Sequence, residues 1–397
     1  MPSSHLRISE AAPYALGLDI GNYAIKAIVL KQTAEGYAVC YASHLPNGEG
    51  ETRDGVVNAR ALAARLRPLL KEAGLPLKGA SFALPTEHAQ IRWLDLPQMT
   101  PEALRAATKF EARKYLPYSV DEAEVQILPI QQSGDQDEGQ MRALMVAAPR
   151  KMITSRAEAL EAAGLEIAHA EVETFPLLRA QKPTERAVSV LWGGQPLTHV
   201  HLGHLASCMC VARGVDVRFM RAISWGSARL SQTLAGALSI GPDEARTILE
   251  SASAQLDNTG NLTWTEAGET RQTDALIGEL ERLYREIQRL LNYYRSLFPE
   301  RSYEGILDRI YLSGGGAGLN GLDAYFTRTL QFEVTISNPF QLVTLQLSPD
   351  SFAAVKGHRA AFGVAVGLAM GALEMGRYAE VRQGQRMHEY VWRRKAA

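Results

Sequence analysis

Apolar and polar positions along the chain alternate between two rhythms. The run from Ala15 to Ile20 is apolar apart from Asp19 and reads as a buried strand. Gly21-Asn22 turns the chain, and Ala24 to Leu30 returns as a second strand. A third strand spans 37–44, beyond the polar turn at Glu35-Gly36. From Val57 to Ala73 the spacing becomes helical, with Leu62, Leu66, Leu69 and Leu70 on one face. The opening unit is therefore β-β-β-α.

Two strands follow, Lys78 to Leu84 and Ala89 to Leu96. Thr100 as N-cap and Pro101 as first helical residue start a helix that runs to about Tyr115 and stops before Pro117. Strands at Val125–Ile130 and Met141–Ala148 flank an acidic, polar loop. Residues 78–148 thus read as a small mixed module inserted into the first domain. A helix (151–163), a strand (165–170) and a short helix (172–180) precede a linker at 181–185.

The second half begins again with strands at 187–191, 197–202, 206–212 and 216–223, with Gly193-Gly194 in the first turn. Helices are expected at 227–237 and 242–253, and a polar loop at 257–273. A long helix over 274–298 carries Leu280, Leu283, Ile287 and Leu290 on its apolar face. A strand at 306–312, a helix at 319–330 and a strand at 332–336 follow. The last helix, 358–373, is built of small residues suited to close packing.

The bulk numbers narrow the class. A chain of 397 residues holds about two domains, and 46% hydrophobic with 21% charged residues is the composition of a soluble globular protein. A net charge of -1 points away from nucleic acid. No apolar run reaches the roughly 18 residues of a membrane span, and residues 1–12 lack a signal peptide's apolar core. Three cysteines, Cys40, Cys208 and Cys210, are too few for a disulfide framework and imply a reduced, cytoplasmic compartment.

Three glycine-bearing turns carry the candidate chemistry. Asp19 holds a carboxylate at the rim of a sheet, and Gly21 lets the backbone approach an anion, a combination suited to a magnesium-bound phosphate. Gly193-Gly194 is the corresponding turn of the second half, so both turns close on one cleft if the halves face each other. Ser313-Gly314-Gly315-Gly316-Ala317-Gly318, between a strand and a helix, suits a ribose, purine or α-phosphate. His199-x-His201-x-x-His204 is read as a solvated strand edge rather than a metal site, and Cys208-x-Cys210 as buried small residues. No Ser-His-Asp or paired-carboxylate arrangement stands out.

Asp19-x-Gly21, the second-half glycine turn and Ser313-Gly314-Gly315-Gly316 resemble the actin, Hsp70 and sugar-kinase nucleotide fold. More specifically, Leu94-Asp95-Leu96-Pro97-Gln98-Met99-Thr100, Glu111-Ala112-Arg113-Lys114-Tyr115-Leu116-Pro117-Tyr118, Glu171-Val172-Glu173 and Asn338-Pro339-Phe340 resemble the type IV pilus assembly family PilM, related to the cell-division protein FtsA. The resemblance spans about residues 14–375. It implies an actin-like (ribonuclease H-like) α/β fold of two domains and four subdomains. Domain 1 would comprise 14–180 plus 352–375, with the 1C module at about 78–148. Domain 2 would comprise 181–351, with subdomain 2B at about 227–300. Residues 1–13 would be a flexible N-terminus and 376–397 a basic tail.

The implied cofactors are ATP and Mg2+, held weakly in the cleft by Asp19, Gly21, Asn22, Tyr23, Lys26, Gly193, Gly194, Gly226, Gly314, Gly315, Gly316 and Asn320, with Asp19 at the metal. No residue is assigned a catalytic role. The departures support this: Leu191-Trp192-Gly193 stands where the family has Asp-x-Gly, and Asn22-Tyr23 replaces small hydroxyl residues. Ala245 to Leu249 lacks the Glu and Lys that usually reach the ribose, and Gly226-Ser227 replaces Gly-Gly. The implied partner is the N-terminal cytoplasmic peptide of a PilN-like inner-membrane protein. The chain would then be a scaffold of the pilus inner-membrane complex, cytoplasmic at the inner face of that membrane, with indirect membrane association. Two alternatives stand beside it: an FtsA-like, membrane-tethered filament protein, and an active ATPase or kinase of the same superfamily.

Overall fold

The computed structural model describes residues 14–34, 36–48, 50–129, 139–181, 196–213, 216–297, 307, 309–341 and 343–380, the last five by backbone only. The first half opens with an antiparallel meander, β1 (Tyr14–Ile20), β2 (Ala24–Thr33) and β3 (Gly36–Pro46). A small hairpin, β4 (Thr52–Arg53) and β5 (Val56–Val57), leads into α1 (Ala59–Ala73). Asn58 caps α1 by accepting from the Ala61 N–H, and Gly74 ends it in the left-handed conformation. Then come β6 (Gly79–Leu84), β7 (Gln90–Pro97), α2 (Pro101–Arg113), β8 (Ala123–Pro129), β9 (Gln140–Pro149), α3 (Arg150–Ala162), β10 (Glu166–Val172) and α4 (residues 174–181).

The main sheet runs β10-β6-β1-β2-β3, so β6 belongs to it and not to the inserted module. The module is shorter than the 78–148 read from sequence. It consists of the separate sheet β7-β9-β8 with α2 against β8. β6 pairs in parallel with both β1 and β10 and is buried along nearly its whole length, which no local pattern distinguishes from a module strand. β9 ties the module to the body through its two faces. Leu144, Val146 and Ala148 join the main core, whereas Ala143 and Met145 join a module core with Leu94, Leu96, Leu104 and Ile127.

The second half repeats the plan. Its elements begin with β11 (Leu197–Leu202), β12 (Ser207–Arg213), β13 (Asp216–Ile223), α5 (Ala228–Leu238) and α6 (Pro242–Glu250). After them come β14 (Gln255–Leu256), β15 (Leu262–Glu266), β16 (Glu269–Thr273) and α7 (Ile277–Ser296). The half closes with β17 (Arg309–Ser313), α8 (Leu322–Leu330) and β18 (Glu333–Ile336). Its sheet runs β13-β12-β11-β17-β18. β11 pairs antiparallel with β12 and parallel with β17, as β1 does with β2 and β6. The strand expected at 187–191 and the turn at Gly193-Gly194 lie outside the described residues. Residues 257–273, expected as a loop, contain a hairpin instead. Leu262 and Trp264 point inward and Thr265 outward, a period-2 pattern obscured by its polar surroundings.

The chain then returns to the first half. β19 (Thr344–Leu345) pairs with β3, and α9 (Pro349–His358) packs on it. A single final helix was expected; a tight turn at Arg359–Phe362 instead separates α9 from α10 (Gly363–Glu380). α10 lies on β1 at backbone distance. A Cβ on Gly17 would sit 2.1 Å from the Ala365 carbonyl oxygen, and one on Gly367 would sit 1.7 Å from that of Pro176. The small residues of this stretch serve that close approach.

Candidate functional site

A cleft of about 890 Å³ lies between the halves, lined by Asp19, Gly21, Asn22, Tyr23 and Lys26 on one side and His201, Gly203, Arg246 and Gly314–Gly316 on the other. The β1–β2 register sets Asp19 opposite Lys26, and their charged groups pair at 2.8 Å with both side chains nearly buried. The Gly21 N–H closes the turn on the Ala24 carbonyl at 3.1 Å, so it is not the bare donor expected. Asn47 braces the same turn, donating from its side chain to the Gly21 carbonyl at 2.8 Å.

Facing it is the β11–β12 turn, residues 203–206. By topology His201-Leu202-Gly203 occupies the place of Asp19-Ile20-Gly21. The residue opposite the first acid is therefore an imidazole. The sequence reading sought that position at Leu191, outside the described residues. His201 is no solvated edge residue: β11 is an inner strand, and Nδ1 of the ring shares a 3.1 Å hydrogen bond with Ser313 Oγ. Burial holds its pKa down at about 4, against the opposing pull of Asp19, so the ring is neutral at pH 7. His199 stacks on Tyr311 at 5.5 Å and is buried. Cys208 and Cys210 are buried free thiols.

The glycine run is partly as expected. Gly314 adopts a φ of 89°, and a Cβ there would meet the Leu202 carbonyl oxygen at 2.4 Å. A single 3-10 turn, Gly315–Gly318, follows it, and α8 begins only at Leu322. No helix N-terminus therefore points from the run itself, and the Gly314 N–H is taken by the Ala360 carbonyl. Gly315 is open to the cleft. Asn320 lines the cleft but spends its side-chain amide on the Ala254 carbonyl, at 3.0 Å. Gly226 lies behind the wall, where a Cβ would meet the His204 carbonyl oxygen at 2.2 Å; it seats α5 against the 203–206 turn.

Two groups escaped the sequence reading. α6 presents Arg246 and Glu250 to the cleft, one helical turn apart; Glu250 lies just beyond the 245–249 window in which an acid was sought. At the floor, Glu173 follows β10 and accepts from the Thr86 N–H at 3.0 Å, with Glu87 close by. Burial, then the charge of Glu87, raise the Glu173 pKa to about 8. Behind both, fully buried Arg156 donates to the Gly55 and Met152 carbonyls. A Ser81–His169–Glu171 chain also exists, with contacts of 2.7 and 2.8 Å, but all three residues are buried away from the cleft. Its Glu171 pairs with Arg179, which also donates to the Gly367 carbonyl and so ties α4 to α10.

A model of the family described as type IV pilus assembly protein PilM matches residues 17–373. The chain belongs to the PilM family. Among solved structures, a PilM-PilN type IV pilus biogenesis complex is similar at 23% identity over 90% of this chain and 98% of that one, with a TM-score of 0.74. MreB5 of Spiroplasma citri bound to ADP is similar at 13% identity over 92% and 98%, with a TM-score of 0.50. The fold is thus the actin-like ATPase fold, and the PilM match joins the two half-sheets, the cleft and the β7-α2-β8-β9 module in one unit. Among the described residues no helix is long and apolar enough to cross a membrane. The basic tail beyond residue 380 lies outside them.

Proposed function

We propose that this PilM-family chain is an adaptor of the pilus inner-membrane complex. It would bind the cytoplasmic N-terminal peptide of a PilN-like membrane protein at the inner face of that membrane. The observation that carries the reading is the α2 side of the inserted module. Phe110 is 64% exposed and Tyr115 36%, large rings that no described element covers. Lys114, paired with Glu111 at 2.8 Å, lies 4.8 Å above the Phe110 ring, and Arg92 lies 5.4 Å from that of Tyr115, so each exposed ring carries a cation beside it. The similarity to a PilM-PilN complex supports a PilN-like partner.

Nucleotide binding in the cleft belongs to the same reading, in degenerate form. Gly315 leaves room for close approach, and Arg246 and Lys26 supply positive charge. The donor set suits Mg2+ poorly, since Asp19 is already paired with Lys26 and a neutral imidazole stands opposite. Glu173, protonated at neutral pH, is a poor base for orienting water. Hydrolysis is therefore weak or absent. The test is a fluorescence-anisotropy titration with a synthetic peptide of the PilN-like partner's N-terminus. Phe110→Ala and Tyr115→Ala should each weaken binding about tenfold without moving the melting temperature. No binding by the unsubstituted protein at millimolar peptide would overturn the reading.

A further inference from the structure

The side chain of Tyr23 has no role in the adaptor reading, yet it makes contact across the cleft mouth. It stands on the first-half turn, whose backbone is fixed by Asn47 donating to the Tyr23 carbonyl at 2.7 Å. From there the ring crosses to the second half. The Arg246 guanidinium lies 4.5 Å from its centroid, and the His204 ring lies 5.2 Å away at 33°. Glu250, one helical turn along α6 from Arg246, lines the same side of the cleft. On its own side Tyr23 is backed by His44, at 6.2 Å, which in turn stacks on His358 at 3.9 Å. One rigid aromatic side chain thus touches both the 203–206 turn and α6.

This matters for charge. A polyanion entering the cleft meets Lys26, Lys356 and Arg359 from the first half's side and Arg246 from the second. Lys26 is held by Asp19 at 2.8 Å, and Arg246 is held by Asp243 at 3.0 Å and by the Tyr23 ring. His204 and His201 are neutral at pH 7, both pushed down to about 4 chiefly by burial. Among the described residues Arg246 is the cation that the second half presents to the cleft, and its release requires rotation of one side chain. We propose that Tyr23 is a latch that holds the two halves together across the cleft and competes with a polyphosphate ligand for Arg246. The competition rests on the nucleotide reading given above; the latch itself does not.

Two measurements on the full chain separate these parts. Small-angle scattering without ligand reads the latch. Tyr23→Ala and Arg246→Ala should each enlarge the radius of gyration, the double substitution should enlarge it no further, and Tyr23→Phe should stay close to the unsubstituted value. Unchanged radii in both alanine variants, with the circular-dichroism spectrum intact, would overturn the latch. Calorimetric titration with Mg·ATP reads the competition. Tyr23→Ala should bind about fivefold more tightly, the size of one cation–π contact released. Weaker binding by Tyr23→Ala would make the ring part of the ligand's seat and overturn the competition. Absence of binding by both proteins would overturn the nucleotide reading and the competition with it, leaving the scattering result to decide the latch alone.

Discussion

The β1–β2 turn and the β11–β12 turn face each other across the cleft with the same strand pairing and opposite chemistry. The first carries an acid paired with a lysine; the second carries a neutral histidine bonded to a serine hydroxyl. Backbone topology was repeated, and charge was not. The difference teaches that glycines and backbone contacts set the shape of this cleft, while the charge that it offers depends on a few side chains.

The comparison is broken most strongly at the backbone. Gly314→Ala puts a Cβ 2.4 Å from a carbonyl oxygen at a positive φ and should cost ~3 kcal/mol or more, whereas Gly21→Ala, with no positive φ, presses on the Asp19-bound Lys26 Nζ at 2.9 Å and the Ala24 carbonyl oxygen at 3.2 Å and should cost about 1–2 kcal/mol. Urea denaturation of the two variants checks this. Next in size is the charge. Lys26→Met leaves Asp19 buried and unpaired, so a loss of about 3 kcal/mol is expected. His201→Gln removes one neutral hydrogen bond and should cost about 1 kcal/mol.

The two walls also predict opposite pH slopes. The His201 pKa falls from 6.5 to about 4 on folding, so the unfolded chain takes up a proton first and stability falls as pH drops from 6.5 towards 4. The ring keeps some contact with the cleft, and the effect should be about 1–2 kcal/mol. Glu173 behaves in reverse: its folded pKa is raised from 4.5 to about 8, so its contribution is full below 4.5 and is lost as pH rises through 8. In melting curves from pH 4 to 9, His201→Gln should flatten the acid limb and Glu173→Gln the alkaline one. The smallest effect sharpens the comparison by reversing it. His201→Asp supplies a second carboxylate, and Mg2+ should then tighten ATP binding about threefold, which a titration with and without the metal would show.

Much of this arrangement was legible beforehand where local physics decides it. The Asp19–Gly21 turn, the Thr100 cap with Pro101, and the α7 apolar face all appear as read. The illegible parts share a cause: their partners are distant in sequence. His201 carries no motif, because an imidazole stands where an acid would have marked the second turn, and the glycine pair at 193–194 offered a stronger local signal. Glu250 and Glu173 gain their meaning only when α6 and the end of β10 meet across the cleft. The same holds for β6, whose membership of the main sheet depends on β1 and β10.

The contact of α10 with β1 has a consequence for biosynthesis. The Gly17 backbone is covered by residues near Ala365, roughly 350 positions later. A ribosome therefore releases the whole first meander, the module and the second half before the wall of the first core exists. Until α10 is made, the apolar surface around Ala15, Ile28 and Leu30 has no lid, and that face of the nascent first half stays open to chaperones while the second half, whose helices precede that point, can already close.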